Sequence, residues 1–398
     1  MFKPDPSSPS HTLDSASTTK RESTTRNPAK LTTVGVAGGG QLAQMMASAA
    51  QNLDIRTVVL DPDPDCAAAQ NADELIVGDY CSSDDLLRLA KRCDVITFEI
   101  ELVDAPSLRL LEADGYCVAP SSKVLATIQD KLLQKYFLAG LKIATADFCE
   151  YPGQTSLEIP YVWKARRGGY DGRGVAVIRA RDDIESTHDI PAILEELVDI
   201  DKELAIVVAR ANCGNTVCYP LTEIDMDSHT HVLDMVVAPA DVPHDVVKKC
   251  EYFARMIVKQ LEYIGILAVE FFLDHNGDIF VNELSPRPHN SGHYTIEACA
   301  TSQFEQHLRA ITGLPLGPVD MKCAAATFNL LGEVHSIGTA RATDLQSAKR
   351  GVFVHDYGKT PVRRGRKMGH VTVIDEDRTQ VILRANAIKA NVSIEAAK

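Results

Sequence analysis

The stretch from Leu31 to Gln51 constrains the fold more than any other. "LTTVGVAG" is an apolar, strand-like run, "GGGQL" is a glycine loop, and residues 41–51 suit a helix. A strand that turns through glycines directly into a helix is the first half of a β-α-β unit. Such units build parallel sheets covered by helices. The alternation continues: "RTVVLD", "ELIVGD" and "DVITFEI" read as strands, with the helical "SSDDLLRLAKR" between the last two. Ser82 or Ser83 suits the N-cap of that helix, and Asp84 and Asp85 fall in its first turn, where the helix dipole favours negative charge. The region predicts a doubly wound parallel sheet.

Gly38, Gly40 and Ala43 match the G-x-G-x-x-G/A pattern, and Asp61 ends the next strand at about the distance of a ribose-binding acid. On that stretch alone the reading would be a dinucleotide site for NAD. The rest of the chain decides.

Near Asp130 the pattern changes. "QDKLLQKYFLAG" is an amphipathic helix ending at Gly140. Strand signals follow in "YVWKARRGGYDGRGVAVIRA" and "ELAIVVARANCGNTVCYPLTEI", then the helix "HDVVKKCEYFARMIVKQLEYIG". "LAVEFFLDHNGDIFVNELSPRPH" is a hairpin with its turn at Asn276-Gly277, a strong two-residue turn signal. After Pro318 a smaller β-rich region runs to the end, and no internal repeat is visible. Residues 1–30 are rich in Ser, Thr and Pro with little to bury, which predicts a disordered tail. Asp5, Asp14 and Glu22 weigh against a transit peptide there.

With 398 residues the chain has room for two or three domains. Its formal charge of -13 argues against a sequence-independent nucleic-acid binder, which needs a basic face. No apolar run approaches the roughly 18 residues that span a bilayer. The ten cysteines form no C-x-x-C pair, which predicts reduced thiols in a cytosolic protein.

Four constellations carry chemistry. In "KARRGGYDGRGVAVI", Gly168, Gly169, Gly172 and Gly174 lie between two strand-like segments, so backbone N–H groups can close over a phosphate. Lys164, on the preceding strand, could reach the same phosphate; a flexible hairpin tip is the alternative. On the two arms of the later hairpin, a turn at Asn276-Gly277 sets Glu270 opposite Glu283, both on one face. With Asn282 they offer hard oxygen ligands suited to Mg²⁺ on nucleotide phosphates, against the alternative of two solvated acids. "ILEELV" and Glu203 could present backbone groups to an adenine and a carboxylate to ribose, though an exposed acidic loop fits as well. Lys359, Arg363, Arg364, Arg366 and Lys367 form a basic cluster in an acidic chain, either a solvated turn or a phosphate corner.

Together "GGGQL", "TFEIE", "QDKLLQK", "GGYDGRG", "VEFF", "NELSPRPHNSGH", "NLLG" and "GRKMGH" resemble the ATP-grasp superfamily. Within it they resemble the 5-(carboxyamino)imidazole ribonucleotide synthetase family of purine biosynthesis, over residues 31 to 385. The resemblance implies an α/β chain with an ATP-grasp fold. Its expected divisions are a tail (1–30), a doubly wound, Rossmann-like pre-ATP-grasp domain (31–126), an ATP-grasp domain (127–317) and a small β-rich C-terminal domain (318–398). It implies no dinucleotide; the first glycine loop, with Gly40, Gln41 and Leu42, would instead floor the substrate site. The implied reaction joins bicarbonate to the exocyclic amine of aminoimidazole ribonucleotide, using ATP and Mg²⁺ through carboxyphosphate.

The resemblance also assigns roles. Lys131, Lys164 and the loop Gly168, Gly169, Tyr170, Asp171, Gly172, Arg173 and Gly174 would hold the nucleotide phosphates. Glu195, Glu196, Leu197 and Val198 would form the adenine hinge, with Glu203 on the ribose. Asn282 and Glu283, with Glu270, would hold the metal. Tyr170, Asp171 and Arg173 would reach the aminoimidazole nucleotide, Arg287, His289 and Asn290 would surround bicarbonate and the amine, and Lys359 and Arg366 would take the substrate phosphate. A cytoplasmic homodimer without membrane or nucleic-acid partners is implied.

Departures from the family pattern are Ala43 and Gln44 in the first loop, Ala144 where proline is common, and Met226, with His229 nearby, where a nucleotide-site histidine is frequent. The C-terminal mutase domain that some relatives carry is not expected, since the sequence stops at Lys398. A formate-dependent enzyme acting on glycinamide ribonucleotide, or a non-catalytic nucleotide binder, are the rival readings.

Overall fold

The first strand is buried along its whole length because helices cover both faces of its sheet. The computed structural model describes residues 32–152, 158–169, 174–180, 183, 190–226, 233–332, 340–342, 350–392 and 394–396. In it β1 (Thr33–Ala37) passes through the glycine loop into α1 (Gln41–Gln51). With β2 (Arg56–Asp61), β3 (Glu74–Val77) and β4 (Val95–Phe98) it forms a parallel sheet in the order β3-β2-β1-β4. Leu42, Met45 and Met46 of α1 pack on Val34, Val36 and Val59. On the other face, α2 (Ser83–Ala90) and α3 (Ala105–Ala113) bring Leu86, Leu89 and Leu108 against Val58, Leu60 and Ile96. This is the doubly wound arrangement. Ser82 caps α2, its hydroxyl accepting the Asp85 N–H at 3.4 Å.

Helix α4 (Ser122–Gln129) leads through Asp130 into α5 (Lys131–Gly140). Asp130 caps α5 by accepting the N–H groups of Leu132 and Leu133 at 3.0 and 3.4 Å. Arg166 grips the same carboxylate with two bonds of 3.0 and 2.7 Å, which ties the start of α5 to a small antiparallel sheet. That sheet has β5 (Phe148–Tyr151), β6 (Tyr161–Ala165), β7 (Val175–Ile178) and β8 (Ala192–Glu196) in the order β5-β8-β6-β7. The glycine-rich connection joins β6 to β7. Gly168 and Gly174 have φ of 74° and 69°, conformations that favour glycine. Tyr170, Asp171, Gly172 and Arg173 lie outside the described residues, as do the tail 1–30 and His229.

A larger sheet follows. Its strands are β9 (Ile200–Arg210), β10 (Thr216–Cys218), β11 (Thr222–Met226), β12 (Leu233–Ala238), β13 (Gly265–Asp274) and β14 (Ile279–Ser285). Helix α6 (His244–Gln260) covers one face, packing Cys250, Ala254, Ile257 and Val258 against Val269, Phe271, Val281 and Leu284. The alternate positions, Glu270, Phe272, Phe280 and Asn282, therefore face the other way. After α7 (Thr295–Ala298) and α8 (Gln303–Thr312), β15 (Ala324–Leu331) pairs directly with β12, Met235 opposite Phe328. The short β16 (Ala340–Ala342) stands apart, while β17 (Val352–Asp356) and β18 (Lys367–Asp375) extend the same sheet to the order β14-β13-β9-β11-β12-β15-β18-β17. The β-rich region after Pro318 is thus an extension of one sheet. It also holds a helix the composition reading left out, α9 (Arg378–Lys389), before β19 (Ile394–Ala396), which pairs with β16.

The hairpin differs from expectation. Asp274 and Asp278 close its tip, with Gly277 at φ 85°, so the turn holds three residues rather than two. Near the tip Leu273 pairs with Ile279 and Phe272 with Phe280. A bulge between Val269 and Phe271 then sets Asn282 and Glu283 together against Glu270, and pairing resumes at Val269 with Leu284. The bulge restores the one-residue offset of the turn. Glu270 and Glu283 still meet, but at a bulge instead of a regular pair.

Helix α8 fastens the two sheets through His307, which is fully buried. Its Nδ1 accepts the Ile266 N–H at 3.1 Å and its Nε2 lies 2.8 Å from the Thr97 hydroxyl. Burial pushes its pKa down to about 3 from the ordinary 6.5. The unfolded chain therefore takes up a proton that the folded chain refuses. The ring's contribution is whole above pH 6.5 and is lost as the pH falls toward 3. Between pH 7 and pH 5, the stability gap between wild type and His307→Gln should narrow by roughly 2 kcal/mol. Urea titrations of both chains at the two pH values measure it; a constant gap would show that the ring does not stay neutral.

Candidate active site

The small sheet carries its charged residues over the polar face of β9, β13 and β14. Lys164, buried on β6, lies 2.8 Å from the Glu195 carboxylate, donates to Asn282 Oδ1 at 3.0 Å and stands 6.0 Å from the Phe272 ring centre. Lys131 and Lys135 share one side of α5, a turn apart. Lys131 pairs with Glu283. Lys135 reaches the other Glu195 oxygen at 3.2 Å and donates to Thr145 at 2.5 Å. Glu270 lies 3.5 Å from the Asn282 side-chain amide and 3.4 Å from His289 Nε2.

The charges set the titrations. Burial alone would raise the Glu283 carboxyl, but the ammonium groups of Lys131 and Lys164 outweigh it and hold it low. Glu270 is pushed up by burial and by the Glu283 charge. Burial raises Glu203 to about 7 and draws Lys135 down to about 8, against the pull of Glu195. Two opposed carboxylates, one held charged and one driven toward neutral, form a site short of positive charge. Among the described residues no cluster of three or more His, Cys, Asp or Glu is arranged to hold a metal by itself. The two carboxylates and the Asn282 oxygen make a partial shell, which suits a hard cation completed by phosphate oxygens and water.

Of the hinge residues, Glu195 is buried as the counter-ion of two lysines, Glu196 is exposed, and Leu197 and Val198 are half-buried in the link to β9. The exposed-loop alternative holds for Glu196 and fails for Glu195.

The second half of the site gathers on the first glycine loop. Asp61 accepts the Gly39 N–H at 2.7 Å and Glu99 accepts the Gly40 N–H at 3.0 Å. The loop's anion-binding amides are thus taken by the protein's own carboxylates, where a dinucleotide would need them for its pyrophosphate. Leu42 belongs to the core. Gln41 accepts a hydrogen bond from Lys359 at 2.5 Å, and that ammonium stands 5.2 Å from the Tyr357 ring centre. Arg287 pairs with Glu101 at 3.1 Å. Glu99 feels the positive charges of both Arg287 and Lys359. Arg366 donates to the carbonyls of Thr360 and Pro361 at 2.9 and 2.8 Å. Arg363 and Arg364 are exposed. Asn290 opens a single 3-10 turn, and His289, just before it, faces Glu270 through Nε2.

The structure brings in residues the sequence reading left unassigned. Glu99 and Glu101 sit in the quoted "TFEIE". Lys135 stands one helical turn from Lys131, a spacing that could have marked it. Gln303 had no signal.

Opposed carboxylates on a hairpin, faced by Lys164 from a small antiparallel sheet and by Lys131 from a helix, are the arrangement of an ATP-grasp ligase. The ATP-grasp domain family matches residues 137–304, the ribonucleotide synthetase preATP-grasp domain 31–129, and the phosphoribosylaminoimidazole carboxylase C-terminal domain 325–384. The N5-carboxyaminoimidazole ribonucleotide synthase of Synechococcus elongatus is 40% identical over 354 residues, covering 85% of this chain and 89% of that one. The crystal structure of N5-carboxyaminoimidazole ribonucleotide synthetase from Thermotoga maritima superposes with a TM-score of 0.85 at 39% identity, covering 92% of this chain and all of that one. That of the Aspergillus clavatus synthase, in complex with ADP and 5-aminoimidazole ribonucleotide, superposes at 0.80 and 31% identity, over 90% and 98%. The chain belongs to the N5-carboxyaminoimidazole ribonucleotide synthase family.

Proposed function

We propose that this site carboxylates the exocyclic amine of 5-aminoimidazole ribonucleotide with bicarbonate and ATP, through carboxyphosphate, to give the N5-carboxylated ribonucleotide, ADP and phosphate. The observation that carries the reading is the constellation formed by Lys131, Lys164, Glu270, Asn282 and Glu283, with Arg287 past the same hairpin paired to Glu101, two residues from the Glu99 that holds Gly40 of the loop where Gln41 accepts from Lys359.

Bicarbonate is a poor electrophile because hydroxide leaves badly. Phosphorylation replaces that leaving group by phosphate, and carboxyphosphate then gives CO₂ beside the amine. The transfer needs alignment and charge neutralisation more than covalent help. Lys131 and Lys164 neutralise ATP phosphates, and the loop of Gly168, Gly169, Tyr170, Asp171, Gly172, Arg173 and Gly174 closes over them. Glu195 holds Lys164 in place while the backbone of Glu196, Leu197 and Val198 receives the adenine and Glu203 the ribose. Glu270, Glu283 and Asn282 hold Mg²⁺, which when bound neutralises charge on the phosphates. Arg287, His289 and Asn290, with Asp171 and Arg173, surround bicarbonate and the amine. Gly40, Gln41 and Leu42 floor the ribonucleotide, and Lys359 and Arg366 take its phosphate. The division into 31–126, 127–317 and 318–398, a cytoplasmic setting and a homodimer belong to the same proposal; the three matched domain families support the division.

ADP release measured with ATP, Mg²⁺ and bicarbonate should rise many-fold on adding aminoimidazole ribonucleotide, and not on adding glycinamide ribonucleotide with formate. ADP release driven by the second pair would overturn the assignment.

A further inference from the structure

Helix α8 carries three fully buried polar residues, Gln303, Gln306 and His307. Such groups are tolerated only when bonded. Each grips backbone. Gln306 donates to the Gly317 carbonyl and accepts the Gly317 N–H, both at 2.8 Å. Gln303 does the same to His289: its Oε1 accepts the His289 N–H at 2.9 Å and its Nε2 donates to the His289 carbonyl at 2.7 Å. The same Nε2 stands 3.4 Å from His293 Nδ1. Thr295 accepts the Gln303 N–H at 2.9 Å, which seats the clamp on the adjoining turn. Gly292 leaves it no room to shift, since a Cβ there would fall 2.3 Å from Gln303 Oε1.

The imidazole of His289 is held separately. The Ser291 N–H donates to its Nδ1 at 3.3 Å, and the Ser291 hydroxyl lies 3.0 Å away. With Nδ1 accepting, the ring proton sits on Nε2, which faces Glu270 at 3.4 Å. Backbone and ring are both fixed beside Glu270.

We propose that Gln303 is a positioning residue for carboxylation: by clamping the backbone N–H and C=O of His289 it keeps the imidazole where carboxyphosphate is passed to the amine. This rests on the reaction proposed above. A misplaced His289 leaves carboxyphosphate to water, which returns bicarbonate and phosphate. ATP is then spent without carboxylated product.

The test compares full-length wild type, Gln303→Glu, Gln303→Leu and Gln306→Glu. ADP is followed by a coupled assay and product by incorporation of labelled bicarbonate. Both Gln303 variants should lower kcat for carboxylation about tenfold or more and raise ADP per product about threefold, with the KM for ATP within about twofold of wild type. Gln306→Glu breaks the same kind of clamp on Gly317 and should lower the melting temperature while leaving ADP per product unchanged. Thermal melts identify any unfolded variant; if Gln303→Glu unfolds, Gln303→Leu decides. A wild-type ratio in the folded Gln303 variants, or an equal rise in Gln306→Glu, overturns the proposal. A wild type that forms no carboxylated product overturns the reaction itself and the clamp with it.

Discussion

Glu283→Gln should lower ADP formation by about a thousandfold while the fold survives. Glutamine keeps the volume and can still accept from Lys131, so packing at the bulge is preserved. What disappears is the charge. Glu283 is the carboxylate that Lys131 and Lys164 keep ionised, whereas Glu270 is driven toward its neutral form. Removing Glu283 therefore takes away the group best fitted to hold a divalent cation on the transferring phosphate. The check is ADP production at saturating Mg²⁺ and ATP beside a thermal melt. Near-normal turnover in a folded variant would remove the carboxylate pair from the metal role.

The next largest effect is expected at Lys359. Lys359→Ala should raise the KM for the ribonucleotide about thirtyfold and leave the KM for ATP nearly unchanged. The ammonium is held at the first glycine loop by Gln41 and by the carbonyl of Lys367 at 3.3 Å. A lost charged hydrogen bond to phosphate costs about 2 kcal/mol, which converts to that factor where KM follows affinity. ATP is assigned to Lys131, Lys164 and the second glycine loop. Arg366→Ala should act in the same direction, with an added effect on the loop whose carbonyls at Thr360 and Pro361 the guanidinium holds. Kinetics with each substrate varied at saturation of the other decide it. An equal rise in both constants would move this corner out of the substrate-phosphate role.

The alternating strands and helices of the first region were legible because burial on both faces leaves near-continuous apolar runs, and α1 begins and ends as read. The hairpin was legible for a partly accidental reason. The Asn276-Gly277 signal suggested a two-residue turn, the real turn has three, and the bulge at Glu270 cancels the difference. Local turn chemistry cannot reveal a bulge several residues away. The lysines and carboxylates of the site could be nominated because their spacing has chemical meaning. Gln303, Gln306 and His307 could not. Polar residues on an amphipathic helix look like a solvated face until the backbone groups that bury them are known. Arg287 and Glu101 lie far apart in sequence, so their pairing depends on how the first region meets the hairpin.

Glu270 and Glu283 lie on β13 and β14, at one end of the eight-strand path, and Lys359 lies beside β17, at the other. Laid flat, that path would separate them by roughly 34 Å. Yet Arg287, just past β14, pairs with Glu101 at 3.1 Å, and Lys359 donates to Gln41, whose neighbour Gly40 donates its N–H to Glu99. The sheet must therefore coil until its two margins approach the same loop. The gap between the two margins is then an accumulated quantity, as the gap in a split ring depends on the curvature of the whole hoop. A change of one degree in each strand-to-strand twist adds to about seven degrees at the far margin. Substitutions in the middle strands, at Val236 or Ala205, would alter the gap from a distance, so tolerance to mutation should be lower in the centre of this sheet than its separation from the chemistry suggests.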